Sequence, residues 1–189
     1  MAFFNNQVVF IRHGQTEWNL VKKTQGHLNS PLTEKGLFQA KEVADKLKNY
    51  DFDLIVSSPL GRALETAKIL SAELKIEKLI TNVNLSERHL GVLQGKTKEE
   101  SLVSFPQFFN ENQRFIHESE IPDGETLSQF LSRIKIGMEE LKELSITNKM
   151  LVVTHDGVLH AIMAFKNNIE FKEVQNHYRF ENCEPVFLS

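Results

Sequence analysis

Apolar residues follow two rhythms along the chain. Short runs rich in apolar and β-branched residues occur at 8–11, 52–56, 79–83 and 150–153, and they predict buried strands. Between them the period lengthens to three and four. Leu37, Ala40, Ala44 and Leu47 mark one apolar helix face. Ser30 is placed to cap that helix, with Pro31 in its first turn. Leu60, Ala63, Leu64, Ala67, Leu70 and Leu74 mark a second helix. Leu127, Phe130, Leu131, Ile134, Met138 and Leu141 carry a third, over 125–144, and a fourth runs from 158 to about 166. Residues 177–180 and 185–188 read as an edge hairpin with Asn182 near its turn. Residues 98–117 look helical but are interrupted at Pro106, and about 96–122 reads as a helical insertion or lid. Its Phe105, Phe108, Phe109 and Phe115 are suited to cover something.

Strands alternating with helices predict an α/β fold. The expectation is one domain over 1–189, a doubly wound and mostly parallel sheet with helices on both faces. The small lid and the C-terminal edge hairpin complete it.

Composition narrows the function classes. The 189 residues are 41% hydrophobic and 25% charged, in the ordinary range for a globular chain with a sizeable core. The net charge of −3 gives no global basic character for nucleic acid. Cys183 is the one cysteine, which excludes an internal disulfide and a cysteine metal site and fits a reducing, cytoplasmic compartment. The N-terminus lacks the basic and long apolar segments of a leader, and no stretch reads as a membrane span. Seven histidines raise the question of zinc, but no H-x-x-x-H or H-E-x-x-H spacing falls on a helical stretch. No metal or cofactor is expected.

The chemistry concentrates where strands end. The first strand runs into Arg12-His13-Gly14, and the last long one into Thr154-His155-Asp156-Gly157. Arg62 opens the helix after the strand at 52–56, where a cation opposes the helix dipole. Glu87 follows the strand at 79–83. In a parallel sheet these ends share one edge, where ligands bind. Two arginines and two histidines there would hold a phosphoryl group. A neutral imidazole can attack it, and a carboxylic acid can protonate the leaving oxygen. The absence of a Walker lysine and a Gly-rich phosphate loop argues against a nucleotide-dependent kinase.

These segments resemble the histidine phosphatase superfamily, which includes cofactor-dependent phosphoglycerate mutases. The resemblance is carried by Arg12-His13-Gly14 with Thr16 and Asn19, and by the segment from Gln25 to Gly36. It continues through Ser57-Ser58-Pro59-Leu60-Gly61-Arg62, Glu87-Arg88-His89-Leu90-Gly91 with Gln94-Gly95, and His155. It implies a phosphoglycerate mutase-like fold with His13 as the phosphorylated nucleophile. Arg12, Asn19, Arg62 and a protonated His155 would bind the phosphoryl group, and Glu87 would be the acid and then the base. Gln25 and Gly26 would approach the substrate. Arg88 and Lys98 match positions that contact the substrate carboxylate in the mutases. His27 and His89 read as structural or exposed, and His117, His160 and His177 have no motif behind them.

One position departs from the resemblance. The second histidine is followed by Asp156 where the family usually has glycine or a small neutral residue. Its carboxylate is expected either to turn toward solvent or a basic neighbour, or to face the outer pocket and select a cationic or hydroxyl-rich leaving group. The first arrangement is the primary expectation. The function expected is a metal-independent phosphatase acting on a small phosphorylated metabolite through a phosphohistidine, with α-ribazole phosphate among the open substrates. A phosphoglycerate mutase is the alternative, followed by a non-catalytic phospho-ligand-binding module. No nucleic-acid or membrane partner is expected, and a homodimer is left open.

Overall fold

The computed structural model describes Phe4 and residues 7–188. Met1 to Phe3, Asn5 and Asn6, most of the segment read above for a leader, lie outside the described residues. Five strands, β1 (Val8–Arg12), β2 (Leu54–Ser57), β3 (Leu79–Thr81), β4 (Met150–Thr154) and β5 (Pro185–Phe187), form one sheet in the order β3-β2-β4-β1-β5. The first four are parallel, and β5 runs antiparallel to β1. The helices are α1 (Glu17–Leu20), α2 (Glu34–Leu47), α3 (Gly61–Leu74), α4 (Lys98–Ser104), α5 (Leu127–Leu144), α6 (Asp156–Asn167) and α7 (Phe171–His177).

Alternation along the strands explains why both faces are covered. Val9, Ile11, Ile55, Leu151 and Val153 point to one face and pack on Ala40, Val43 and Leu47 of α2 and Ala63, Ala67 and Leu70 of α3. Val8, Phe10, Leu54, Val56, Met150 and Val152 point to the other, against Phe130, Ile134 and Leu141 of α5 and Val158 and Ile162 of α6. A parallel sheet buried on both sides requires such near-continuous apolar strands. The fold is the mostly parallel α/β sheet that the sequence predicts.

Several local expectations change. Helix α2 starts at Glu34, capped by Thr33, whose hydroxyl accepts the Gly36 N–H. Ser30 instead accepts the Trp18 N–H, and Leu32 pairs with Thr16 in a short bridge that keeps residues 31–32 extended. Leu37 is exposed, and Gly36 takes the inward place. The segment at 98–117 is helical only through Ser104. Pro106 disfavours a helical Phe105, which leaves the helix at φ −143° and ψ 53°. Beyond a 3₁₀ turn at Pro106–Phe108 the chain is irregular, and Phe105, Phe108, Phe109 and Phe115 gather around Leu93 and Ile121 in a separate cluster. The insertion is therefore mostly loop.

The edge hairpin is also absent. Residues 171–177 form α7, and β5 pairs with the free edge of β1. Phe180 is buried, and its carbonyl accepts from Arg12, which removes it from strand pairing. Among the described residues no helix is long and apolar enough to cross a membrane.

The loop after β1 is pressed against the start of α2. A Cβ built on Gly36 would collide with the Gln15 backbone carbonyl, and one on Gly14 would meet the Gly36 carbonyl oxygen at 2.7 Å. Backbone cannot give way as a side chain can. Gly36→Ala is therefore expected to destabilise the fold by about 1–3 kcal/mol, the usual cost of overpacking. Urea unfolding should show a lower midpoint at unchanged slope.

Candidate active site

The parallel strands all end at one edge, so the residues just past β1, β2 and β4 meet there. His13 leaves β1 with its N–H still bonded to the Thr154 carbonyl, 3.0 Å away. Asn182 donates to the His13 carbonyl at 2.7 Å, and the Gly14 N–H donates to the Thr66 hydroxyl at 3.0 Å. The residue is pinned through its own backbone before its ring is considered.

The ring is oriented just as firmly. Nδ1 lies 2.8 Å from the Gly14 carbonyl oxygen, which can only accept, so Nδ1 carries the hydrogen. Nε2 then holds a lone pair, and the Arg62 Nε–H donates to it at 3.2 Å. Burial, followed by the charges of Arg62 and Arg12, holds the His13 pKa well below its usual value. His13 is a neutral imidazole with one nucleophilic nitrogen facing the cationic end of the site.

Arg62 is almost completely buried. Its Nη1 donates to the Leu28 carbonyl at 2.9 Å and its Nη2 to the Gly26 carbonyl at 2.8 Å. Burial lowers its pKa to about 10, so it stays charged near neutral pH. These contacts explain a cation in the first turn of α3: it is bound to the loop across from the helix. Arg12 donates from Nη1 to the Phe180 carbonyl at 2.7 Å, and its buried Nε has no partner within the protein. That N–H suits a phosphoryl oxygen.

His155 caps α6, and its ring centroid lies 5.3 Å from that of His13. Its Nε2 meets the Ser58 hydroxyl at 2.7 Å, while the buried Nδ1 has no protein partner. Burial and the neighbouring Arg62, His13 and Arg12 push its pKa well down. The expected protonated His155 is thus a neutral ring in the unliganded protein. Cations on several sides oppose another positive charge, and an arriving dianion would reverse that field.

Glu87 docks against the start of α6. Its Oε1 accepts the Arg88 N–H at 2.9 Å and its Oε2 the Gly157 N–H at 3.1 Å. A Cβ on Gly157 would run into the Glu87 carboxylate, so glycine there lets the acid approach the backbone. Burial, with help from the Asp156 charge, pushes the Glu87 pKa up against these hydrogen bonds and the Arg62 charge. An acid at that place favours its protonated form. Arg133 of α5 holds the same loop, donating to the Asn84 and Ser86 carbonyls at 2.9 Å each and pairing with Glu125 at 2.8 Å.

The remaining predicted residues divide. Asn19 closes a capping box with Thr16 at the start of α1. Gln25 is buried, donates to Thr16 at 2.9 Å and keeps an unpartnered Oε1. Gly26 offers its carbonyl to Arg62. Arg88 is buried and tied to the Glu125 and His117 carbonyls, each at 2.8 Å, so it anchors the insertion. Lys98 opens α4 and lines a cavity of about 1080 Å³. Asp156 lines that cavity as well and sits 3.4 Å from Arg12 and 3.5 Å from His160. Its basic neighbours match the arrangement expected first, and its place on the cavity wall leaves it facing the outer pocket as well.

Ser58, Thr66, Gly157 and Arg133 also contact the site, and sequence alone gives them no role. Ser58 lies inside the segment quoted for the resemblance, while nothing in the sequence around Arg133 points to the site. Among the described residues no cluster of His, Cys, Asp and Glu suited to hold a metal ion is found.

The chain and its fold are similar to known proteins. The sequence is 34% identical over 158 residues to phosphoglycerate mutase-like protein 4 of Arabidopsis thaliana, covering 82% of this chain and 69% of that one. The fold superposes on YhfR of Bacillus stearothermophilus with a TM-score of 0.87 at 28% identity, covering 95% and 89% of the two chains. A mycobacterial glucosyl-3-phosphoglycerate phosphatase, solved with VO3, gives a TM-score of 0.81 at 26% identity over 97% and 91%. The sequence pattern of the histidine phosphatase superfamily (branch 1) matches residues 8–188, and the chain belongs to that family as an enzyme acting on phosphate esters.

Proposed function

We propose that the protein is a phosphatase that hydrolyses a small phosphomonoester through a phosphohistidine on His13. The His13 Nε2 lone pair attacks phosphorus while Arg12, Arg62 and His155 hold the phosphoryl oxygens. The ester P–O bond breaks as Glu87 gives its proton to the leaving oxygen. Glu87, now a carboxylate, takes a proton from water, whose oxygen attacks phosphorus. The P–N bond breaks, and phosphate leaves with His13 restored.

The observation that carries hydrolysis over isomerisation is the cavity of about 1080 Å³ that adjoins the site through Asp156. It is at the upper end of small-molecule pockets and far exceeds a three-carbon acid. A mutase must keep water from its phosphoenzyme while the acceptor turns. A roomy leaving-group side works against that. A phosphoglycerate mutase is the second reading, favoured by the name of the Arabidopsis relative.

Two experiments test the proposal. Incubation with a phosphomonoester and an alkaline detergent quench should trap a phosphate label that is acid-labile and base-stable, and His13→Ala should abolish both label and turnover while retaining the fold. With 3-phosphoglycerate and 2,3-bisphosphoglycerate, phosphate release should exceed formation of 2-phosphoglycerate. Faster isomerisation would assign the mutase.

The pH profile follows from the two shifts. Because the His13 pKa is depressed, the nucleophile stays neutral to well below the usual imidazole range. Because the Glu87 pKa is raised, the acid keeps its proton to higher pH than an ordinary carboxyl. For alkyl phosphates kcat/KM should therefore fall as pH rises through the Glu87 pKa. Glu87→Gln should remove that limb and slow alkyl phosphates by about 10²–10⁴-fold. Loss on p-nitrophenyl phosphate should be much smaller, because its leaving oxygen needs no proton. Equal losses on both would reduce Glu87 to a binding group.

A further inference from the structure

We infer that Asp156 is a specificity-determining residue that accepts a hydrogen bond from a hydroxyl of the leaving group, directing the enzyme to polyol or sugar phosphates. The inference rests on the phosphatase reading above and concerns the opposite side of the scissile bond.

Position is the first argument. Asp156 lies between His155, which faces His13, and Gly157, which holds Glu87. Its side chain is 40% exposed and lines the cavity. The carboxylate therefore stands at the junction of the phosphoryl site and the leaving-group space.

Hydrogen-bonding capacity is the second. The carboxylate has two neighbours, Arg12 Nη1 at 3.4 Å from Oδ1 and His160 Nδ1 at 3.5 Å from Oδ2. Neither is a short hydrogen bond. Arg12 Nη1 is bound to the Phe180 carbonyl at 2.7 Å, and His160 Nδ1 to the Asp156 carbonyl at 2.8 Å. The two cationic or polar neighbours hold the carboxylate in place without saturating its acceptor sites. An apolar leaving group would strip water from it and return nothing.

The lining of the cavity separates the two classes of donor. Lys98, Arg114, Lys172 and Arg179 line the same cavity with Asp156, Glu118 and Glu173, and Lys172 is paired with Glu170 at 2.9 Å. An ammonium-bearing leaving group would have to sit among Lys98, Arg114 and Arg179 to reach Asp156. A neutral hydroxyl carries no charge for those cations to repel, and the cavity's Phe109 and Phe115 suit the C–H faces of a polyol.

The test compares kcat/KM for sn-glycerol 3-phosphate, n-propyl phosphate and phosphoethanolamine, with p-nitrophenyl phosphate as a fourth substrate. Wild-type protein should rank glycerol phosphate first. In Asp156→Ala the ratio of glycerol phosphate to propyl phosphate should fall by about 10- to 100-fold, the weight of a hydrogen bond to a charged acceptor. Asp156→Asn, which keeps shape and one acceptor oxygen, should fall less, and it serves if the alanine variant does not fold. A ratio unchanged in both variants overturns the inference while leaving the phosphatase intact. So does a wild-type preference for phosphoethanolamine that Asp156→Asn removes, because the ligand class is then an ammonium. If wild-type protein hydrolyses none of the four, the phosphatase reading and this inference fall together.

Discussion

A buried guanidinium organises this site. Arg62 carries a full charge at a place where burial alone would make it costly, and such a charge persists only if its donors are satisfied. They are satisfied by the Nε2 of His13 and by the carbonyls of Gly26 and Leu28. One side chain therefore fixes the loop that follows α1 and the ring of His13 together. The Gly14 carbonyl then leaves His13 only one tautomer. Remove the guanidinium, and the loop carbonyls lose their donors while the imidazole loses its orientation.

Much of this was legible because the chemistry sits at strand ends, and strands with both faces buried are among the plainest sequence signals. Val8 to Ile11 and Met150 to Val153 are read as buried strands, and the parallel register between them places His13 beside His155. Arg62 was conspicuous as a cation opposing its own helix dipole, and its contacts with the loop carbonyls account for it. The less legible parts depend on partners far away in sequence. Arg133 supports the Glu87 loop from a helix more than 40 residues on, through backbone carbonyls that carry no side-chain signature. The apolar residues 177–180 read as a strand, yet Phe180 is claimed by the core and its carbonyl by Arg12. The aromatic insertion looked helical because its phenylalanines cluster, and Pro106 prevents the helix from continuing.

The electrostatics of the unliganded site have a consistent sense. Arg12 and Arg62 supply fixed positive charge, and both histidines respond by staying neutral. Glu87 responds in the opposite direction, holding its proton because burial and Asp156 outweigh Arg62. The two histidines and Glu87 thus stay uncharged, and two arginines are left facing the place a dianion would occupy. A phosphoryl group entering there brings two negative charges to two arginines. It also changes the field at each titratable neighbour in a different direction. At His155 it favours a proton, turning a neutral ring with a free Nδ1 into a stronger donor. At Glu87 it opposes ionisation and so keeps the acid protonated until the leaving oxygen develops charge. At His13 the same field would favour protonation and disable the nucleophile, were it not for the hydrogen bond from Arg62 that already occupies Nε2. In the proposed mechanism that bond is given up as Nε2 turns to phosphorus, and the guanidinium would then be free to follow the phosphoryl oxygens, so that the same donor would serve the ring before the reaction and the transferred group during it.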